Sequence, residues 1–256
     1  MIRIGVCASP EHVEFVAGCG FDYMETSLAG IASMEDEAFE ALVRKVDTLP
    51  IRIESYNGML PGELKVTGEN VNAQALHDYL KKAFDRARRL GGKVVVFGSS
   101  ASRNVPSGFP YEVAWRQIGN FLRLAEKHAA ENDIRVAIEP LRRAESNVIN
   151  LVSEAMILTS LVNMPHIGVL ADTYHMAMTS EPYSVFGRCD GRLYHVHTAN
   201  AMGRVYPRPG DGENYRKMFA SLKEAGYDGR VSIEAGCSDF EKDAPEALRA
   251  LREALK

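Results

Sequence analysis

Glu139, Asp172, His197 and Glu234 each end the polar phase of a short alternating run. In Ile134–Glu139 the apolar set Ile134, Val136 and Ile138 alternates with a set that ends in Glu139. In Ile167–Asp172 the set Ile167, Val169 and Ala171 alternates with Gly168, Leu170 and Asp172. Tyr194 and Val196 alternate with His195 and His197, and Val231 and Ile233 with Ser232 and Glu234. Strand side chains alternate between faces, so the four ligand-type residues belong to one face. A single such carboxylate is ordinarily a salt-bridge partner or a cap. Four in the same phase on consecutive runs read as a site able to bind a cation and move protons.

Such a site needs a scaffold that brings the four ends together. Eight short β-rich runs alternate with helical patterns along the chain: Arg3–Cys7, Tyr23–Ser27, Ile51–Tyr56, Lys93–Gly98, Ile134–Glu139, Ile167–Asp172, Leu193–Thr198 and Arg230–Ala235. Amphipathic stretches between and after them include Ala73–Leu90, Tyr111–Asn132, Tyr215–Gly226 and Ala244–Leu255. With no Pro/Ser-rich linker, this reads as one α/β domain over residues 1–256 with a parallel sheet. Eight is the strand number of a closed (β/α)₈ TIM barrel, and 256 residues suit one. Gly18-Cys19-Gly20 opens no dinucleotide-binding fingerprint, which disfavours a doubly wound sheet. In a barrel the apolar sets face the helices, the other sets face the axis, and the four ligand-type residues crown the C-terminal mouth.

Composition narrows the classes further. The chain is 46% hydrophobic and 25% charged, with 30 Lys and Arg against 34 Asp and Glu. That balance lacks the basic excess by which proteins hold nucleic acid, so no nucleic-acid partner is expected. Cys7, Cys19, Cys189 and Cys237 form no C-x-x-C pair and read as free thiols of a reducing compartment. The longest run without Asp, Glu, Lys or Arg, Ala155 to Ala171, is broken by Asn163, Pro165 and His166 and makes a poor membrane span. Pro10-Glu11 interrupts any signal-peptide core. A cytoplasmic protein without a membrane partner is the expectation. Trp115 reads as core, and Lys81, Lys82, Arg86, Arg88 and Arg89 as a solvated outer helix face.

The motifs carry a family likeness. Ile138-Glu139-Pro140-Leu141-Arg142-Arg143-Ala144-Glu145 and its continuation to Asn150 resemble the strand-five signature of the sugar-phosphate isomerase/epimerase group, the xylose-isomerase-like barrels that include ketose 3-epimerases. Leu170-Ala171-Asp172-Thr173-Tyr174-His175-Met176 resembles the strand-six motif. His195-Val196-His197 with Arg204 resembles strand seven, and Ser232-Ile233-Glu234 the last strand. Phe97-Gly98-Ser99-Ser100, followed by Arg103-Asn104-Val105-Pro106, is similar to the strand-four loop of many members.

The resemblance implies that Glu139, Asp172, His197 and Glu234 ligate one divalent metal. Three carboxylates and an imidazole independently suit Mn²⁺ first, with Mg²⁺ or Co²⁺ as substitutes, and no cysteine of these motifs offers a structural zinc site. It implies a keto-sugar whose α-proton is removed through an enediolate, with Glu139 and Glu234 as acid and base on either side of the sugar. Arg204 and Glu145 match family residues that contact substrate or bond within the site. His175, three residues past Asp172, is placed to hydrogen-bond a substrate oxygen, and Arg103 to reach the mouth from the strand-four loop. His195, one layer below His197, reads as a buried hydrogen-bonding partner of the ligand set. Family habit implies a homo-oligomer, most simply a dimer.

Other activities share this scaffold. Apurinic endonucleases of the superfamily gather three metals with many histidines. This chain has seven, with no Asp-x-His pair after His197 and no histidine ending the first four strands. A dehydratase acting on an inosose or keto-sugar would start from the same enolate and then expel a β-substituent, and the sequence leaves that lyase open beside the epimerase. Intact ligand positions argue against a barrel that binds sugar without chemistry. Asp211 and Asp239 in the loops after strands seven and eight disfavour a phosphate dianion. The expected substrate is therefore an unphosphorylated keto-sugar or cyclic polyol ketone.

Overall fold

The computed structural model describes residues 1–256. Eight parallel strands, β1 (Arg3–Cys7), β2 (Tyr23–Ser27), β3 (Ile53–Asn57), β4 (Val94–Phe97), β5 (Arg135–Ile138), β6 (Ile167–Asp172), β7 (Leu193–Thr198) and β8 (Arg230–Ile233), pair in sequence order and close into a barrel. The helices are α1 (Val13–Cys19), α2 (Leu28–Ser33), α3 (Asp36–Asp47), α4 (Ala73–Arg89), α5 (Ser100–Arg103), α6 (Tyr111–Asn132), α7 (Val152–Val162), α8 (Thr173–Met178), α9 (Tyr215–Glu224) and α10 (Phe240–Leu255). The chain is a TIM barrel, as the alternation of runs predicts. No helix is long and apolar enough to cross a membrane.

The two faces of the sheet bury different material. A core of 61 buried residues lies between strands and helices, including Ile4, Val136, Ile138, Val169, Val196, Val231 and Ile233. Only five apolar residues, Val94, Val96, Ala137, Leu170 and Tyr194, form the separate cluster inside the barrel. Outward apolar sets thus supply most of the hydrophobic driving force. Below the site the interior is closed by ions. Glu54 accepts from Arg3 at 2.6 and 2.7 Å and from Arg230 Nε at 2.7 Å. Tyr23 shares a 2.8 Å hydroxyl bond with Ser232, its ring lying over Gly5 of the strand between them.

Three expectations are corrected. Tyr194 faces the interior cluster instead of the helices, because the register jumps from Val169↔Leu193 to Leu170↔His195. This bulge turns two successive side chains inward. Gly168 leaves room for the ring, since a Cβ there would lie 2.5 Å from Tyr194 Cδ2. Arg86 leaves its basic run: it is buried and donates to the carbonyls of Ile31, Ala32 and Met34, closing the C-terminal end of α2. The last helix begins at Phe240, four residues before the apolar periodicity, because the Asp239 side chain accepts from Lys242 N and caps it. Trp115 is half-buried against the core.

Candidate active site

The ends of β5, β6, β7 and β8 converge at the C-terminal mouth. Glu139 follows β5 directly, and its backbone N–H donates to Phe97 O at 3.2 Å. Gly98 faces it across the β4–β5 seam, where any Cβ would collide with Glu139 Oε2. Asp172 ends β6 and caps α8, its Oδ1 accepting from Tyr174 N at 2.8 Å, so Oδ2 is left to face the mouth. His197 ends the inward phase of β7 with no exposed surface, and Glu234 follows β8. His197 Nδ1 lies 3.4 Å from Glu139 Oε1 and 3.2 Å from Glu234 Oε2.

One ligand atom from each of Glu139, Asp172, His197 and Glu234 lies within 4.8 Å of the others. A cation with bonds of about 2.1 Å needs neighbouring ligand atoms about 3 Å apart and opposite ones about 4.2 Å apart. The four therefore form a possible metal-binding group, and its electrostatics favour a cation. Burial, with the charges of Glu139 and Glu234, pushes the Asp172 carboxyl up to about 7. Burial and Glu234 raise Glu139 as well, against the bond from His197. Glu234 goes the other way: burial would raise it, but His197 and Arg204 hold it at about 2.

Beneath the group lies a buried pair of bonds that the sequence did not reveal. Glu25, fully buried on β2, accepts from His197 Nε2 at 2.8 Å and from His195 Nε2 at 2.7 Å. Burial opposes its charge, but the two imidazoles outweigh burial and hold the carboxyl well below the usual range. With Nε2 committed to Glu25, His197 turns Nδ1 toward the carboxylates. His195 is the buried partner expected, and its Nε2 also meets Ser55 Oγ at 3.1 Å. From β3, Asn57 Nδ2 donates to Glu234 Oε1 at 2.9 Å. The same face alternation on the first strands points to Cys7, Glu25 and Asn57 on β1, β2 and β3.

Arg204 reaches the group from the loop after β7. Its Nη2 lies 2.6 Å from Glu234 Oε2 and 3.1 Å from Asp172 Oδ2, and its guanidinium stacks over Tyr174. The loop is pinned beside β8 by Gly236 N donating to Arg204 O at 2.8 Å. His175 is buried, and its Nδ1 accepts from Arg142 N at 3.3 Å, so the proton of a neutral ring sits on Nε2. Burial and then Arg204 depress its pKa to about 3, which keeps the ring neutral. Nε2 has no hydrogen-bond partner and points toward Asp172 Oδ2 and Glu145 Oε2, at 3.5 and 4.0 Å. A buried donor left unpaired at a mouth is a place for an incoming oxygen. Glu145 joins the same edge, taking Arg142 Nε at 2.6 Å.

Arg103 is the exception among the expected site residues. It is fully buried and does not face the mouth: Nη1 donates to Phe97 O at 2.6 Å and Nη2 to Glu139 O at 2.7 Å. Burial lowers its pKa to about 10, against the pull of Glu139. Those two carbonyls take the guanidinium that was expected to meet substrate, and Arg103 instead laces the ends of β4 and β5 beneath Glu139.

Comparison with known proteins bears on the family and the fold. Residues 13–254 match the family model described as xylose isomerase-like TIM barrel. The L-ribulose 3-epimerase of Methylomonas sp. is 28% identical over 230 residues, covering 88% of this chain and 77% of the relative. The fold superposes on D-psicose 3-epimerase from Clostridium cellulolyticum, solved with D-tagatose, at TM-score 0.86 and 17% identity, over 99% of each chain. It superposes on the 3-keto-D-glucoside 4-epimerase of E. coli at TM-score 0.84 and 18% identity, over 99% of this chain and 100% of that one.

Proposed function

The chain belongs to the xylose isomerase-like TIM-barrel family, and from that premise we propose that it is a metal-dependent sugar epimerase or isomerase. It moves a proton α to the carbonyl of a keto-sugar through an enediolate. The observation that carries this reading is the meeting of Glu139, Asp172, His197 and Glu234 within 4.8 Å at the barrel mouth. Curated relatives that are sugar epimerases support it.

The four residues would hold one divalent cation, Mn²⁺ by preference, which supplies Lewis-acid stabilisation of negative charge on the sugar's carbonyl oxygen. The remaining work falls to side chains of this chain. Glu139 and Glu234 enter from β5 and β8, three strands apart around the ring of eight, and so stand on nearly opposite walls. One takes the α-proton from one face of the sugar, and the other returns a proton to the opposite face, which inverts the carbon. His175 Nε2–H donates to a sugar oxygen, and the Arg204 guanidinium binds a second oxygen near the carboxylates. Glu145 orients that edge.

The test is to incubate Mn²⁺-loaded protein in D₂O with a panel of ketoses and inososes and follow the α-proton by NMR. Exchange accompanied by an epimer or aldose product is expected. Loss of water from the substrate in place of inversion would replace this reading with the lyase. Retention of every α-proton across the panel would overturn it.

A further inference from the structure

Beside the carboxylates the mouth stays open on the β1–β3 side. A cavity of about 690 Å³ starts there and runs outward between the loop after β1 and helices α2 and α3. Its inner end belongs to the candidate active site. Cys7 Sγ lies within 4.8 Å of ligand atoms of His197 and Glu234, and Asn57 holds Glu234 Oε1. Both residues line the cavity. Its volume falls in the range of about 300–1,000 Å³ usual for small-molecule sites.

The walls change character with distance from the carboxylates. Near them the polar side chains are Asn57, Thr26 and Ser27; farther out the lining is Pro10, Ile31, Met34 and Leu42. Sugar hydroxyls suit the inner end. Placed among the outer side chains they would lose water and gain no partner, at a cost in binding. An anionic substituent is matched no better. The charged side chains lining the cavity are Glu11 and Lys45, both exposed, and Lys45 already meets Glu14 Oε2 at 3.1 Å.

We infer that the substrate is a keto-sugar carrying an uncharged apolar substituent, of the class of alkyl or aryl keto-glycosides. The sugar lies at the carboxylates and the substituent in this cleft. This rests on the keto-sugar reading above and names the substrate class within it. The substituent adds apolar burial that a free ketose lacks, and that binding energy holds the reacting carbon in place between Glu139 and Glu234. Ala41, on the exposed surface of α3, lines the outer cleft, so a bulky side chain there would fill the cleft from outside the barrel.

The experiment uses methyl, butyl and hexyl glycosides of a 3-keto-hexose with Mn²⁺-loaded protein. Dissociation constants come from calorimetry, and α-proton exchange in D₂O is followed on the same compounds. Each fully buried methylene tightens binding roughly fourfold, so the hexyl compound should bind on the order of 10²–10³-fold more tightly than the methyl one. In Ala41→Trp that ratio should collapse toward one, and if this variant does not fold, the wild-type series decides alone. Equal affinities across the wild-type series overturn the inference, and α-exchange of all three compounds would then leave the keto-sugar reading standing. A steep series without exchange upholds the cleft assignment and overturns the keto-sugar chemistry. Absence of binding by all three overturns the inference.

Discussion

The two halves of the barrel mouth carry different kinds of side chain. β5 to β8 present the four groups that form the possible metal site, with His175 on α8 and Arg204 on the loop after β7 beyond them. β1 to β3 present Cys7, Glu25 and Asn57, which meet that group from the other side, and then give way to the apolar cleft. Charge that reacts is concentrated in one half; hydrogen bonds that aim it, and space beside it, are in the other. The difference teaches that the chemistry and the choice of substrate can be built on separate strands of one ring. Removing a group from the first half should damage turnover, whereas removing one from the second should damage affinity and aim.

The largest effect is expected where this division is sharpest. Glu139→Gln and Glu234→Gln keep an oxygen and similar volume but lose the proton-accepting charge. At saturating Mn²⁺ each should lower kcat by roughly 10²–10⁴-fold. The surviving carboxylate should still exchange the α-proton of substrate that presents it on that side. Exchange without inversion, opposite in stereochemical preference for the two variants, is the signature to seek in D₂O. Near wild-type epimerisation by both would break the acid/base pairing.

Next in size are Arg204→Ala and His175→Ala. Loss of a charged or buried donor to the substrate should cost about 2–5 kcal/mol of transition-state stabilisation, read in kcat/KM, with bound metal unchanged. If metal content falls in parallel, these residues belong to the ligand scaffold and the boundary between binding and chemistry must be redrawn.

Glu25→Gln probes the opposite half. The amide cannot serve both imidazoles as the carboxylate does, and metal affinity should fall by about 10–100-fold while substrate-saturated turnover at full metal loading changes less. Titration with Mn²⁺ followed by calorimetry measures it. A turnover loss as large as that of Glu139→Gln would erase the distinction between the halves.

The smallest effect concerns the metal-free protein. Asp172, raised to about 7 in the fold, binds a proton there that the unfolded chain releases near pH 4, so stability falls as pH rises through that interval. His197 is opposed by burial but held charged by Glu25 and Glu234, and its contribution is lost as pH rises beyond the ordinary histidine range. Below the ordinary histidine range the buried, neutral His175 works the other way, because the unfolded chain takes up a proton that the folded ring refuses; without added metal, Tm should therefore decline between about pH 6.5 and pH 8, and Mn²⁺ should reduce the decline. An upward slope over that interval in the metal-free protein would contradict the electrostatics of the carboxylate cluster.

The two halves also differed in how legible they were. Face alternation on β5, β6, β7 and β8 was enough to put Glu139, Asp172, His197 and Glu234 together, because a strand's period of two is a local property. It failed at Tyr194, whose inward turn comes from a jump in pairing between β6 and β7 and has no local trace. Glu25 is less legible, because it stands alone as a carboxylate among Tyr23, Met24 and Thr26. Arg103 was misdirected for another reason. Its partners are main-chain carbonyls, which every residue has, so no side-chain pattern announces them. The cleft is assembled from α2, α3 and the β1 loop, and only closure of the ring brings those segments to the carboxylates.

Gly98 carries a consequence for how this protein tolerates change. The residue has no functional group, yet a single methyl at that position would occupy the space of a Glu139 carboxylate oxygen. In a deep mutational scan for activity, position 98 should rank with the ligating carboxylates, while in a scan for soluble expression it should rank well below them. Its intolerance belongs to the site and not to the fold. A side chain at position 98 is accommodated only by moving the Glu139 carboxylate aside, so it is felt in the reaction before it is felt in the fold.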